Sequence, residues 1–401
     1  MKRILVIAPK SYPVIDAESI VNVKLLTALS DDGRFDIDLV SKDCSQDYPT
    51  EPIDSFKLKI DNHYVVKVEN SITFQSIWLH ILSLFIFSST FKGAHWAVKA
   101  LKRTKELASH NHYDYVLTKN TPSFLLGYYL KNKYGIKWVA TWNDPYPGEK
   151  YPYPYGKGKN YRVGLLDRLQ IRVMKKADIH IFPSARIRDY MLSYLAVGQE
   201  KCIVIPHVAL NIERNSYKCS EQNVLKMIHS GVLSAPRNPR PFLKALSRFY
   251  KLFPKKKIQI TFMGKFDDDI PSLIDELGLD EIIVFKKPVS YQNSLSILSN
   301  YHICLIIEAD CEEGIFLPTK VSDFFQCGKR IFALSPRNGV LHDLYQEKCI
   351  PYFSYVNDEN EIFEELCKVY QEYEKGIIGE EEYQIPCEFS ESVVSEQYYS
   401  L

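Results

Sequence analysis

Short apolar runs alternate with longer stretches of helical period along most of the chain, and this alternation constrains the fold more than any other feature. A strand buried on both faces of a sheet reads as a nearly continuous apolar run. A crossover helix between two such strands repeats its apolar positions every 3.6 residues, so the two in alternation describe an α/β fold with parallel sheets. The first half supplies strand candidates at 3–8, 35–40, 115–118, 137–141, 179–182 and 202–205, with helical stretches such as 19–29 and 166–176 between them. A polar stretch without period, 211–223, separates these from a second series at 226–229, 257–263, 282–285, 303–307 and 330–333. At roughly 150 residues per domain, 401 residues with 46% apolar content suffice for two such halves. The expected organisation is a Rossmann-like domain over 1–207, a linker over 208–223, a second Rossmann-like domain over 224–380, and a segment over 381–401 that ends in a helix.

The charges exclude a global electrostatic partner: 50 Lys+Arg stand against 49 Asp+Glu, a formal net charge of +1, which gives no field to gather nucleic acid. Any anion site is local. The nine cysteines (44, 202, 219, 304, 311, 327, 349, 367, 387) include no Cys-x-x-Cys pair and no histidine at metal-ligand spacing, so they read as reduced, mostly buried thiols with no metal site. Near the amino end only 4–8 is apolar, too short for a signal peptide or a membrane span, and the expected location is the cytoplasm.

Rossmann-like halves place ligands beyond the carboxyl ends of their strands, so two facing sheets make an interdomain cleft. After strand 226–229 comes SGVLSAPRNPRPFLKAL. Gly231 is expected in a permissive turn, with Arg237 and Arg240 flanking the start of a helix near Pro241, an arrangement that suits a diphosphate unless both arginines are solvated loop charges. After strand 303–307 comes EADCEEGIFLPTKVSDFFQCGKRIFAL. Thr319 is placed as an N-cap, which puts Lys320 in the first helical turn, where a cation opposes the helix dipole unless a phosphate reverses the cost. Asp323, three residues on, shares its face and suits ribose hydroxyls. An ordinary surface Lys/Asp pair is the competing reading.

This segment resembles the donor site of GT-B glycosyltransferases, in particular a family-4 bacterial branch with a motif of the form P-S-K-L-x-(D/E)-Y-x-x-x-G-K-P. The matching residues are Pro318, Thr319, Lys320, Val321, Asp323, Phe324, Gly328 and Lys329. The resemblance implies that Asp323 takes the place of the second of two acids and Glu313, followed by Gly314, that of the first, which holds the donor sugar. Arg237 stands where the family has a diphosphate-gripping lysine. Val232 stands in place of its partner arginine, a charge that Lys320 or Lys265 would replace. Pro206 and His207 resemble the family's hinge, and 389–401 its terminal helix, which packs back toward the first domain.

On the acceptor side, strand 137–141 ends in WNDPYP. Asn143 occupies the place of a family histidine, and Asp144 is positioned to orient or deprotonate an acceptor hydroxyl, or else serves as a turn residue. The loop after the first strand lacks the family's glycine pair and offers Ser11, Asp16 and Glu18 instead. Residues 145–161 hold five tyrosines, four prolines and three glycines, a composition that prevents regular structure and either presents rings to a sugar or partner or forms a floppy loop. The apolar run 77–91, followed by Lys92, Lys99, Lys102, Arg103 and Lys105, reads either as a core helix or as a peripheral contact with the inner face of an anionic membrane. Asp267, Asp268 and Asp269 precede a helix, as carboxylates at helix starts do, and the GT-B resemblance implies no metal and no cofactor beyond the nucleotide-sugar co-substrate.

These readings converge on a retaining, hexosyltransferase-type enzyme. It would move a sugar from a nucleotide-diphosphate donor to a glycan or lipid-linked acceptor in cell-surface polysaccharide synthesis, with Arg237 and Lys320 neutralising the departing diphosphate. A GT-B-shaped nucleotide-sugar epimerase or hydrolase and a catalytically silent scaffold remain alternatives.

Overall fold

The computed structural model describes residues 1–12, 14, 16–43, 60, 62–68, 74–91, 93–211, 223–255, 257–378 and 383–401. The chain forms two compact units, one of Met1–Tyr151, Lys157–Leu210 and Glu388–Leu401, the other of Pro152–Gly156 and Asn211–Cys387. Of the expected linker, 212–222 lie outside the described residues.

The first unit is built from β1 (Lys2–Ile7), α1 (Ala17–Asp32), β2 (Phe35–Lys42), β3 (Asn62–Val66), α2 (Phe74–Phe87), α3 (Ala94–His110), β4 (Tyr115–Lys119), α4 (Thr121–Tyr134), β5 (Trp138–Thr141), α5 (Leu165–Met174), β6 (Ile179–Phe182), α6 (Ala185–Leu195) and β7 (Cys202–Val204). Its strands pair in parallel in the order β3-β2-β1-β4-β5-β6-β7. Residues 4–7 of β1 are buried because helices cover both faces, the physical reason the run is uninterrupted by polar residues. Asp16 caps α1 by accepting from the Ser19 backbone N–H at 3.0 Å while the Asp16 N–H donates to the Ser19 hydroxyl at 2.9 Å, a reciprocal capping box. The terminal helix, Glu391–Tyr399, belongs to this unit: Tyr115 donates to the Tyr398 carbonyl at 3.0 Å and Arg34 pairs with Glu396 at 2.6 Å.

The second unit comprises β8 (Leu225–Leu233), α7 (Arg240–Leu252), β9 (Ile258–Phe266), α8 (Ile270–Leu277), β10 (Ile283–Lys286), α9 (Tyr291–Leu298), β11 (Ile303–Ile307), α10 (Lys320–Gln326), β12 (Arg330–Ser335), α11 (Val340–Gln346), β13 (Tyr352–Tyr355) and α12 (Glu359–Glu374); the helix Glu391–Tyr399 becomes α13. The strands run parallel in the order β10-β9-β8-β11-β12-β13. Met227, Leu305 and Phe332 of the sheet are buried with Phe242, Phe249, Ile274 and Leu366 of its helices in one core.

Both units are therefore α/β with Rossmann-like strand order, the architecture of the GT-B fold. The order reverses between β1 and β4 in the first unit and between β8 and β11 in the second, and such switch points open the crevices in which doubly wound folds hold ligands. Two local expectations are corrected. Gly231 lies inside β8, paired with Gly264 of β9, and not in a turn, because β8 and β9 run on to Leu233 and Phe266. Thr319 has helical backbone angles and its side chain makes no capping bond.

Candidate functional site

In the second unit, the carboxyl ends of β8 and β11 gather charged groups from four segments. Gly231 (φ +153°) and Gly264 (φ +150°) let the two strands approach closely, since a Cβ on Gly264 would stand 1.8 Å from the Gly231 carbonyl oxygen. A Cβ on Gly231 would lie 2.9 Å from Lys320 Nζ and 3.4 Å from His229 Nε2. The missing side chain thus leaves the space into which the Lys320 ammonium reaches. Arg237, in the turn after β8, places Nη2 3.5 Å from Glu308 Oε1, and Glu308 directly follows β11. Tyr155, of the short segment that joins this unit, donates to Glu308 Oε2 at 3.4 Å and sets its ring edge-on to Phe316.

The electrostatics follow from this crowding. Burial holds the Lys320 ammonium below lysine's usual range, with repulsion from Arg237 adding to it while Asp323 and Glu308 oppose it. Burial also works against the Arg237 charge, but Glu308 and Tyr155 outweigh it and hold the guanidinium above its usual value. His229 is driven down to about 3, chiefly by burial and then by Lys320. Its Nδ1 lies 3.1 Å from the Leu305 carbonyl, which only accepts, so Nδ1 carries the proton and Nε2 presents a lone pair. His229 Nε2 and Arg237 Nε are both buried without a hydrogen-bond partner. Buried polar atoms without partners are rare enough that two in one place mark where a ligand's polar groups fit.

Asp323 lies one turn along α10 from Lys320, and Tyr291 donates to its Oδ1 at 2.8 Å. Gly314 pairs its backbone with the loop before α11: its N–H donates to the Asn338 carbonyl and its carbonyl accepts from Val340, both at 2.8 Å. Gly314 shares a small cleft with Tyr155, Glu308 and Phe316. Glu313 precedes it, but the carboxylate that reaches Arg237 is that of Glu308. Lys265 is exposed on β9, opposite Val232 in register. Arg240 pairs with Asp269, which stands before α8.

In the first unit, the ends of β1, β4 and β5 converge on Glu18. Asn143 donates through Nδ2 to both Glu18 carboxylate oxygens, at 2.8 and 2.9 Å. Asp144 is raised to about 6, first by burial among surrounding protein and then by Glu18, while a bond from Tyr151 opposes the shift. The residue nonetheless keeps solvent access, so protein crowds the carboxylate without sealing it. Lys119, at the end of β4, is lowered to about 8 by burial, against the pull of Glu18. Ser11 is buried and donates to the Ala8 carbonyl at 3.0 Å, facing its own loop. The tyrosine- and proline-rich stretch is a set of hydrogen-bonded turns: Lys157 N–H donates to the Glu149 carbonyl at 2.7 Å and Tyr146 donates to Asp167 at 3.0 Å.

Sequence reading passed over Glu308, His229 and Lys119, and it took Tyr151 and Tyr155 only as two of the five tyrosines in 145–161, without their carboxylate partners. Glu308 carried a usable signal, a lone acid directly after a buried strand; the others show their role only through residues distant in the chain.

Residues 25–208 match the profile of Glycosyltransferase Family 4. None of the curated proteins matches the chain by sequence. Among solved structures, HepE from Anabaena in complex with UDP and glucose is similar at 13% identity and a TM-score of 0.64, covering 100% of this chain and 99% of its own. The apo lipopolysaccharide outer core galactosyltransferase WaaB is similar at 11% identity and a TM-score of 0.61, covering 99% and 98%. UDP-N-acetylglucosamine 2-epimerase follows at 15% and 0.59, covering 100% and 94%. By sequence over residues 25–208 and by fold over its whole length, the chain resembles GT-B glycosyltransferases of the family-4 kind.

Proposed function

We propose that the chain is a glycosyltransferase that takes a sugar from a nucleoside-diphosphate donor and passes it to a hydroxyl of a glycan or lipid-linked acceptor in cell-surface polysaccharide synthesis, with retention at the anomeric carbon. One observation carries this reading: Lys320 and Arg237, cations from two separate elements, meet at the switch point of the second sheet, where the lack of a side chain on Gly231 leaves room for the Lys320 ammonium to reach a diphosphate. As the bond between the sugar's C1 and the phosphate oxygen breaks, charge builds on the leaving diphosphate, and Lys320 and Arg237 stabilise it. Asp323, braced by Tyr291, receives the ribose hydroxyls. Glu308 holds Arg237 in place, Glu313 and Gly314 border the sugar, and Lys265 adds an exposed cation. The acceptor oxygen forms its bond to C1 and gives its proton to a departing phosphate oxygen, with Asn143, Glu18 and Asp144 positioning acceptor hydroxyls. HepE, solved with UDP and with UDP-glucose, supports a uridine nucleotide as the first donor to try.

The test is a thermal-shift panel of UDP, GDP, ADP, CMP and TDP on wild type and Lys320→Ala. A ligand at 100 times its Kd stabilises by about 2.7 kcal/mol. One responding nucleotide whose response Lys320→Ala abolishes supports the reading; silence across the panel overturns it. Conversion of the matching nucleotide sugar without any acceptor would favour an epimerase or hydrolase.

Peripheral membrane contact belongs to the same proposal. No helix among the described residues is long and apolar enough to cross a membrane. The expectation of a core helix fails, because α2 buries only Ser83 and Phe87 and exposes Phe74, Ile77, Trp78, Ile81 and Phe85. Most of these sit at helical spacing on one face, and α3, which carries Lys99, Lys102, Arg103 and Lys105, follows directly. Apolar insertion beside a basic helix suits an anionic bilayer. Trp78→Glu with Phe85→Glu is expected to abolish cosedimentation with phosphatidylglycerol vesicles; unchanged cosedimentation would refute the contact.

A further inference from the structure

Helix α5 of the first unit carries a stripe of charge that the transfer reaction does not use. Leu165, Arg168, Arg172 and Lys175 fall at intervals of three, four and three residues, which places them along one face. Arg168, Arg172 and Lys175 line a groove of about 380 Å³ whose other walls are Lys150, Tyr194, Val163 and Ile171. Four cations therefore surround one space, and among the described residues no carboxylate comes within ion-pair distance of any of them. Lys150 is buried, with its ammonium 4.4 Å from the centre of the Tyr194 ring and donating to the Lys159 carbonyl.

A favourable interaction with the carboxyl end of α5 accounts for Arg172 and Lys175, which stand in and just beyond its last turn. It does not account for Arg168, one turn earlier, or for Lys150, which comes from a different segment. Arg168 also donates through Nε to the Val163 carbonyl at 3.2 Å, but neither that bond nor those of Lys150 brings a negative charge; four cations without a carboxylate partner around one concavity favour an anion there, and guanidinium pairs suit the oxygens of a phosphate. At the opposite end of the stripe, Leu165 and Leu166 are 71% and 50% exposed, and Val163 and Ile171 make the groove's own lining apolar between the charges.

We propose that this groove binds a phosphate or diphosphate ester carried on an apolar chain, with the phosphate held by Lys150, Arg168, Arg172 and Lys175 and the first carbons of the chain lying on Val163, Ile171 and Leu165. The site stands apart from the residues assigned to transfer and does not depend on that assignment. It gives the first unit a means of gripping an amphiphile by its head.

The experiment compares farnesyl diphosphate, inorganic diphosphate and farnesol on the full chain by lysine-acylation footprinting with mass spectrometry. Labelling is read separately at Lys175 and at Lys320, so occupancy of this groove and of the second unit's site are distinguished within one sample. Farnesyl diphosphate is expected to protect Lys175, farnesol to leave it unprotected, and inorganic diphosphate to protect it at concentrations about tenfold higher. Arg168→Gln with Arg172→Gln, both at exposed positions, is expected to abolish protection at Lys175 while its melting temperature stays that of wild type. Leu165→Ser is expected to weaken farnesyl diphosphate and leave inorganic diphosphate unchanged. An unprotected Lys175 overturns the proposal, as does protection that persists in the double variant. Equal protection by inorganic and farnesyl diphosphate overturns the role of the apolar chain, leaving a site for free anions.

Discussion

Gly231→Ala separates the geometric argument for the anion site from a simple count of its cations. The new methyl carbon would sit 2.9 Å from Lys320 Nζ and 3.3 Å from its Cε. The end of a lysine is flexible, so the ammonium moves aside and the steric cost is small. What is lost is its position. A charge-assisted hydrogen bond contributes roughly 1.5–3 kcal/mol, so nucleoside-diphosphate affinity is expected to fall about tenfold to a hundredfold. The φ of +153° adds strain for alanine of the order of 1–3 kcal/mol, which calorimetric melting reads as stability and not as affinity. Titration of wild type, Gly231→Ala, Lys320→Ala and the double variant closes a cycle. Because the methyl acts by displacing Lys320, the two affinity losses are expected to be strongly sub-additive. Additive losses, or a Gly231→Ala variant that melts lower yet binds as wild type, would refute the claim that Gly231 is kept empty for the lysine.

Gly264→Ala makes the control, since its Cβ would meet the Gly231 carbonyl at 1.8 Å: backbone cannot step aside, and the second unit is expected to lose cooperative unfolding in calorimetry. His207 and His229 are both held near 3 by burial, so the unfolded chain binds more protons than the native one below pH 6.5. Urea stability is then fully present above pH 6.5 and declines toward pH 3 by up to about 1.4 kcal/mol per pH unit for each histidine, and His229→Gln flattens that slope. If Asp144 acts as a base, its value of about 6 makes kcat/KM rise through pH 6; Glu18→Gln removes a neighbouring charge and shifts that limb to lower pH, whereas a structural Asp144 leaves the limb in place. Tyr291→Phe frees Asp323 from its 2.8 Å bond and is expected to raise the donor KM several-fold with kcat little changed.

The fold class was legible because parallel strands buried on both faces cannot hide their apolar runs. Strands Ile179–Phe182 and Ile303–Ile307 appear in the sequence with the bounds they have in the structure. Two strands escaped for physical reasons. β3 is an edge strand, partly exposed, with His63 and Tyr64 breaking the apolar run. β13 is four residues long and aromatic, and its apolar signal is lost beside the longer helices around it. The extension of β8 through Gly231 was hidden because a glycine in a strand looks like a strand end until its partner Gly264 is known. The exposed face of α2 was equally illegible: an apolar helix reads the same whether a core covers it or none of the described residues does.

The candidate site shows a sharper limit. Windows along the sequence couple Lys320 with Asp323, three residues away, since helical spacing is all that a local reading supplies. That coupling is real, since the Asp323 charge acts on Lys320, but the sheet adds others. Parallel pairing of β8 with β11, Met227 to Ile303, joins segments far apart in the chain and sets Arg237 after one strand against Glu308 after the next, while Asp323 turns to Tyr291. An ion-pair partner is chosen by strand order, and strand order is a property of the whole sheet. A motif therefore nominates the cations, since a diphosphate needs them wherever they arise, but the acid that orients them is found only once β8 and β11 are known to be neighbours. Here that acid is the first residue after β11, across the switch point from β8, the strand that precedes Arg237.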